Sequence, residues 1–182
     1  MRSRVFSSEG IVLSLRNYSE VDRIASIYTK KYGRLTFIAK GVRRLKSKKR
    51  GSLEVFTHLN FSAARGRGDL DVLTEVEVID SFQSIKKNIT KVSVAYFFVE
   101  TVEKLTREEE KNEVLFKLIL EYLKDLGGEV KLKKLRLEFV EEILVLLGYW
   151  PLGKKISDPD LFLQKVTERE IRSLRVGKKL LG

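Results

Sequence analysis

The 182-residue chain contains no cysteine, one histidine and two prolines. Without cysteine there is no disulfide framework, no thiolate nucleophile and no cysteine zinc site, and the absence fits a reducing cytosol. With His58 as the only histidine, neither a Ser-His-Asp arrangement nor a transition-metal cluster of the usual kind can be assembled. Phosphate-binding glycine motifs of the Walker or dinucleotide type do not occur. No enzyme activity, metal or cofactor is therefore expected. Long hydrophobic runs are also lacking. The longest uncharged apolar stretch, Val92 to Val99, falls far short of the roughly 20 residues that span a bilayer. The first residues lead into polar sequence instead of a signal-peptide core. A soluble, cytoplasmic protein without membrane association is the expectation. Only two glutamines occur, Gln83 and Gln164, and charged residues make up 34% of the chain; this composition is typical of thermophile proteins.

Positive charge is abundant. Thirty-six Lys and Arg against 25 Asp and Glu give a net charge of +11, which usually signals a polyanionic partner. The excess is uneven. Residues 1–80 hold 16 basic and nine acidic residues, whereas residues 81–127 hold eight of each.

The hydrophobic period changes along the chain. In residues 1–80, Ile11, Leu13 and Leu15 alternate with Val12, Ser14 and Arg16, and Ile24–Tyr28 and Leu35–Ala39 form short runs around a Tyr32-Gly33 hairpin turn. Val55, Thr57, Leu59 and Phe61 alternate next, and Leu70, Val72, Thr74, Val76 and Val78 predict a strand buried on one side. Five short strands without a helical crossover predict a five-stranded barrel of the OB type. From residue 81 the period is helical. Val92, Ala95, Tyr96, Val99 and Val102 predict one helix, and Val114 to Leu126, stopped by Gly127-Gly128, a second. Leu132 to Leu146, ended by Gly148 and Pro151, is a third, and Thr167 with Glu170 predicts a capping box that opens a short last helix through Leu174. The fold class is thus α+β: an OB-type barrel over 1–80 followed by an α-helical domain over 81–182.

From Lys30 to Arg50 there are ten basic residues and no acidic one. Lys40, Arg43, Arg44, Lys46, Lys48, Lys49 and Arg50 fall in the connection between the third and fourth strands, where a cationic loop suits a phosphate backbone. Arg34, and Arg65 with Arg67 in an Arg-Gly-Arg-Gly turn, extend that surface; the alternative is a solvated charged loop. Among the interleaved aromatics, Phe37 and Phe56 flank strands and are expected in the core. Tyr18 and Tyr32 fall in turns and are candidates for base stacking. Glu108-Glu109-Glu110 is expected at a helix start, where negative charge offsets the macrodipole. Tyr149-Trp150-Pro151, flanked by Lys154 and Lys155, offers an apolar groove with a lysine rim suited to an acidic peptide tail, or a Trp150 that only closes the core.

These residues together resemble the family of the bacterial recombination mediator RecO. The resemblance rests on Glu9-Gly10-Ile11-Val12-Leu13, on Asn17-Tyr18-Ser19-Glu20-Val21-Asp22-Arg23-Ile24, and on Tyr32-Gly33-Arg34-Leu35 through Arg44. Arg65-Gly66-Arg67-Gly68, Leu73-Thr74-Glu75 and Leu147-Gly148-Tyr149 add to it. It implies an N-terminal OB domain and a helical C-terminal domain. It also implies a DNA repair and recombination mediator that binds single- and double-stranded DNA and anneals complementary strands at the nucleoid. Recombinase loading, with RecR and the tail of single-stranded-DNA-binding protein as partners, follows from the same likeness. Two departures stand out. Many members carry a four-cysteine zinc site after the Leu-Gly-Tyr-x-Pro segment, absent here, and members are usually longer after that point. An RNA-binding OB module, and a basic helical scaffold that binds no nucleic acid, are the alternative readings of charge and fold.

Overall fold

The computed structural model describes residues 3–44, 47, 51–66, 68–128 and 131–167. Two compact units emerge. The first takes the chain up to Ser81 together with Thr106–Phe116, and the second takes Phe82–Leu105 together with the chain from Lys117 on.

In the first unit, β1 (Val5–Asn17), β2 (Arg23–Thr29), β3 (Gly33–Ala39), β4 (His58–Ala64) and β5 (Asp71–Asp80) form a closed barrel in the order β1-β2-β3-β5-β4. Neighbours are antiparallel except β3 and β5, which run parallel at Phe37–Asp71 and Ile38–Val72. This is the five-stranded Greek-key barrel that the strand count predicted.

β1 serves two neighbours. Val5–Ile11 pairs with β4 and Gly10–Asn17 pairs with β2, with a bulge between Val12 and Ser14. A bulge inserts one residue and reverses which side chains face inward. Phe6 and Val12 accordingly pack in the barrel core before it and Leu15 after it. The alternation of Ile11, Leu13 and Leu15 is therefore interrupted: Ile11 and Leu13 are buried, but outside the barrel core cluster that Leu15 packs against. β5 behaves alike. Its register shifts opposite Ser62 and Ala63, so Leu73 is fully buried and Val76 is packed against the core while Val78 is 37% exposed. The uninterrupted alternation expected from Leu70 to Val78 is broken at Thr74, whose hydroxyl donates to the Ser62 carbonyl at 2.9 Å. β4 begins at His58, not Val55, because Phe56 takes a left-handed backbone with φ of 55°. Phe37 and Phe56 are buried as expected, and Phe37 meets Phe61 edge-on at 5.1 Å.

β5 leaves β3 after two pairs, which exposes the N-terminal edge of β3. The segment Thr106–Glu110 covers it: the Glu109 N–H donates to the Arg34 carbonyl at 2.9 Å, and Glu108 forms an isolated parallel bridge with Arg34. Covering an edge in this way removes a template for unwanted strand pairing. Glu108–Glu110 therefore do not start a helix, contrary to expectation. Asn112 caps the helix that follows, accepting the Leu115 N–H at 2.9 Å.

The second unit is helical: α1 (Gln83–Lys86), α2 (Ile89–Leu105), α3 (Glu113–Gly127, from Lys117 on), α4 (Leu132–Leu146) and α5 (Pro159–Thr167). α2 is buried on most sides, with Val94, Ala95, Phe97, Phe98, Val99 and Val102 inside. Tyr96, expected in its apolar stripe, is 45% exposed. Phe98, Tyr122 and Phe139 form an aromatic cluster with centroids 4.3–5.7 Å apart. Arg136 is buried and satisfied by a bidentate pair with Asp160 at 2.7 and 2.8 Å. α4 ends as predicted, on Gly148 with φ of 77°. The Thr167 hydroxyl donates back to the Leu163 carbonyl at 2.9 Å, and α5 is capped by Asp158, whose carboxylate accepts the Leu161 N–H at 3.0 Å. The expected capping box of Thr167 with Glu170, and the helix through Leu174, lie outside the described residues.

Gly33 tests the covered edge of β3. Its φ is +71°, and a Cβ there would sit 2.2 Å from the Glu110 carbonyl oxygen. Gly33→Ala is expected to destabilise the protein by about 1–3 kcal/mol in urea denaturation. Gly68→Ala, with nothing within 4 Å, is expected to stay within about 0.5 kcal/mol of the parent.

Candidate nucleic-acid interface

The register of the barrel gathers cations at one end. Asn17 pairs with Arg23, and Arg23 with Ala39, so the end of β1, the start of β2 and the end of β3 lie side by side. Lys40, Arg43 and Arg44, which follow β3, are exposed, as is Arg16, and Arg23 is half-buried. Neither Arg16 nor Arg23 stands in the basic run, so only the register reveals them as its neighbours.

Two loops are tied together at this end. The Asp22 carboxylate accepts the Gly41 N–H at 2.7 Å, the Arg43 N–H donates to the Val21 carbonyl at 3.0 Å, and an Arg43 guanidinium N–H donates to the Ser19 carbonyl at 3.0 Å. The Ser19 hydroxyl in turn accepts the Asp22 N–H at 3.1 Å. The β1–β2 turn and the start of the basic connection thus form one braced surface. Tyr18 projects from it with 63% of its surface exposed, as base stacking requires. The connection is anchored further on by two apolar residues, Val42 and Leu53, both buried in the barrel core. Isolated apolar residues within a polar run were the signal for this in the sequence.

The other candidates divide. Arg65 is exposed beyond β4. Arg34 is half-buried, and two of its guanidinium nitrogens donate to the Thr106 carbonyl at 3.1 and 3.3 Å, with Glu108 at 3.7 Å. Tyr32 does not project. It is half-buried against the barrel core, edge-on to Phe6 at 5.3 Å, so its ring face serves packing. Lys46, Lys48, Lys49, Arg50 and Arg67 lie outside the described residues.

Two clefts are lined by other residues. One, of about 610 Å³, lies in the first unit and mixes Lys30, Lys31 and Lys111 with Glu9, Glu75, Glu77 and Glu113. Mixed signs give no net attraction for a polyanion. Within it, Glu9 accepts from Lys30 at 2.8 Å and faces the buried His58 ring nitrogen at 3.3 Å. The hydrogen bond from Lys30 holds the Glu9 carboxyl below its ordinary value, against the opposing effect of partial burial. The second cleft, of about 660 Å³ in the helical unit, brings Trp150, Lys154 and Lys155 together as expected, with Leu118, Val145 and Leu152 and with Glu141 and Glu142. Trp150 donates to the Lys154 carbonyl at 2.8 Å and meets Phe162 edge-on at 4.8 Å, so it packs and lines the cleft at once. Among the described residues no helix is long and apolar enough to cross a membrane.

Comparison with known proteins matches both halves of the chain in order. Residues 1–82 match the family described as Recombination protein O N terminal, and residues 86–154 match Recombination protein O C terminal. The DNA repair protein RecO of Pelotomaculum thermopropionicum is 34% identical over 155 residues, covering 85% of this chain and 59% of that relative. The DNA repair protein RecO of Roseiflexus sp. is 31% identical over 169 residues, covering 93% and 59%. That of Listeria welshimeri is 31% identical over 149 residues, covering 82% and 58%. The chain therefore spans about three-fifths of the length of these relatives.

Two outcomes test the electrostatics. Asp22→Ala removes the acceptor that holds Gly41 and is expected to lower stability by about 1.5–3 kcal/mol, read from the urea midpoint. For Glu9, the folded value lies below 4.5, so its contact stabilises above that pH and is lost as pH falls through the depressed value. The urea midpoint of the wild type should therefore decline more steeply on the acid side than that of Glu9→Gln.

Proposed function

This chain belongs to the recombination protein O family, and we propose that it is a non-enzymatic DNA repair and recombination mediator acting in the cytoplasm at the nucleoid. It binds single- and double-stranded DNA and anneals complementary strands. The observation that carries this reading is the braced barrel end, which holds the exposed Arg16, Lys40, Arg43 and Arg44 together with the exposed Tyr18 in a chain of net charge +11. Lysine and arginine neutralise phosphates and release condensed counterions, which binds a strand without reading its sequence. Neutralising two strands at one surface removes the repulsion that opposes their pairing, so annealing needs no chemistry from side chains. An exposed tyrosine adds a stacking platform for an unpaired base.

Loading of recombinase onto protein-coated strands, with RecR as partner, belongs to the same proposal. The Trp150 cleft is the proposed seat for the tail of single-stranded-DNA-binding protein, held through the apolar lining of Leu118, Val145, Trp150 and Leu152, because Glu141 and Glu142 balance the charge of Lys154 and Lys155.

Three measurements test the reading. Binding of a labelled oligothymidylate should weaken steeply with salt, and Lys40→Ala/Arg43→Ala/Arg44→Ala should make the log–log slope shallower by about 0.7 for each phosphate that is no longer neutralised. Tyr18→Ala should cost single-strand binding about 1–3 kcal/mol and leave duplex binding unchanged. An annealing assay on strands coated with single-stranded-DNA-binding protein should be slower with the triple variant. Unchanged affinity and rate, with a native melting curve, would place the site elsewhere, and a higher affinity for RNA than for DNA of the same sequence would move the function to RNA metabolism.

A further inference from the structure

Two side chains on the outward face of β3 converge on one carboxylate. The Thr36 hydroxyl donates to Glu108 Oε1 at 2.5 Å, and Arg34 Nη1 lies 3.7 Å from the same oxygen. The Arg34 fork does not depend on Glu108 for its orientation, because Nε and Nη2 both donate to the Thr106 carbonyl. An oriented guanidinium beside a hydroxyl is an arrangement that suits a phosphodiester oxygen as well as a carboxylate. Glu108 is a weakly held occupant: its side chain is 55% exposed, and an ion pair that open is screened by solvent and salt.

The pair also sits on the face that an OB barrel uses for single strands, across its second and third strands. Side chains of a strand repeat on one face every two residues, so Arg34, Thr36 and Ile38 form a single row on β3, which Lys40, the first residue past the strand, prolongs. The row covers about 20 Å at roughly 3.3 Å per residue. It ends at Lys40, on the braced surface beside Arg43 and Arg44. A nucleic-acid strand leaving that surface along β3 would meet the carboxylate of Glu108 at the far end of the row.

We propose that Arg34 and Thr36 form a phosphate subsite on β3 that Glu108 occupies as an internal competitor, and that a docking single strand exchanges this carboxylate for one of its phosphodiesters. The proposal rests on the DNA-binding reading above and extends it along β3. Glu108 lowers affinity at rest and shortens the contacted length of strand. The site accepts the sugar–phosphate backbone of a single strand without regard to base.

The test is the salt dependence of oligothymidylate binding by the full chain. Glu108→Gln should bind more tightly than wild type, with a log–log slope steeper by about 0.7, the increment for one more phosphate contact. Glu110→Gln removes the same charge from the same segment without a contact to Arg34, and should leave the slope unchanged. Arg34→Ala or Thr36→Val, each placed in the Glu108→Gln background, should return the slope to the wild-type value; Thr36→Val keeps the Arg34–Thr106 contact and guards against a folding defect. Equal slopes in wild type and Glu108→Gln, or equal steepening by Glu108→Gln and Glu110→Gln, overturn the subsite alone. Absence of binding by wild type and Glu108→Gln at low salt overturns the DNA-binding reading with it.

Discussion

The barrel depends on how β1 shares itself between two neighbours. A strand of 13 residues pairs with β4 through its first half and with β2 through its second, and the Val12–Ser14 bulge lets it bend between the two while keeping apolar side chains inside. Little space is left at the crossover. A Cβ on Gly10 would lie 2.5 Å from Ile27 Cγ2, so the residue between Phe6 and Val12 on the inner face has to be glycine. Closure at this point fixes the register of β2 and β3, and that register decides which loop ends lie together.

The electrostatic surface follows from the same closure. Arg16 in β1, Arg23 in β2 and Lys40 just after β3 become neighbours only because Asn17, Arg23 and Ala39 are in register. Asp22 is held within this cationic end, and its carboxylate is used internally, on the Gly41 backbone. The acidic residue therefore braces the loops while the cations around it stay open to solvent. At the opposite end of β3 the arrangement is reversed. There Arg34 is engaged by the chain's own Thr106 and Glu108, and the exposed groups mix Glu108, Glu109 and Glu110 with Lys31, Arg107 and Lys111. One strand thus carries an open cationic end and a self-covered one.

Much of the fold was legible in sequence, since local rules governed it. The five strands, the Tyr32-Gly33 turn and the ends of the third and fourth helices at Gly127 and Gly148 were predicted from turn chemistry and period. The misread elements share one cause. Bulges at Leu13 and Thr74 reverse side-chain parity without any marker in composition, and a left-handed Phe56 truncates β4. Glu108–Glu110 matched a helix-start pattern, yet a tertiary contact laid them along the edge of β3. For the site, Lys40, Arg43 and Arg44 were legible as exposed groups in a basic run, and Tyr18 as an aromatic in a turn. Tyr32 was not, because its turn position says nothing of Phe6 beneath it.

By itself, then, the sequence determined the sign and placement of the charge and the order of the architecture: net charge concentrated in the first 80 residues, a change of period near residue 80, and neither a cysteine nor a second histidine. These are properties of composition and spacing, which survive any arrangement of the chain. Tertiary structure alone decided which cations act together and which are engaged. That choice depends on strand register and on the long-range contact between Arg34 and Thr106–Glu108, where residues 72 positions apart in sequence meet.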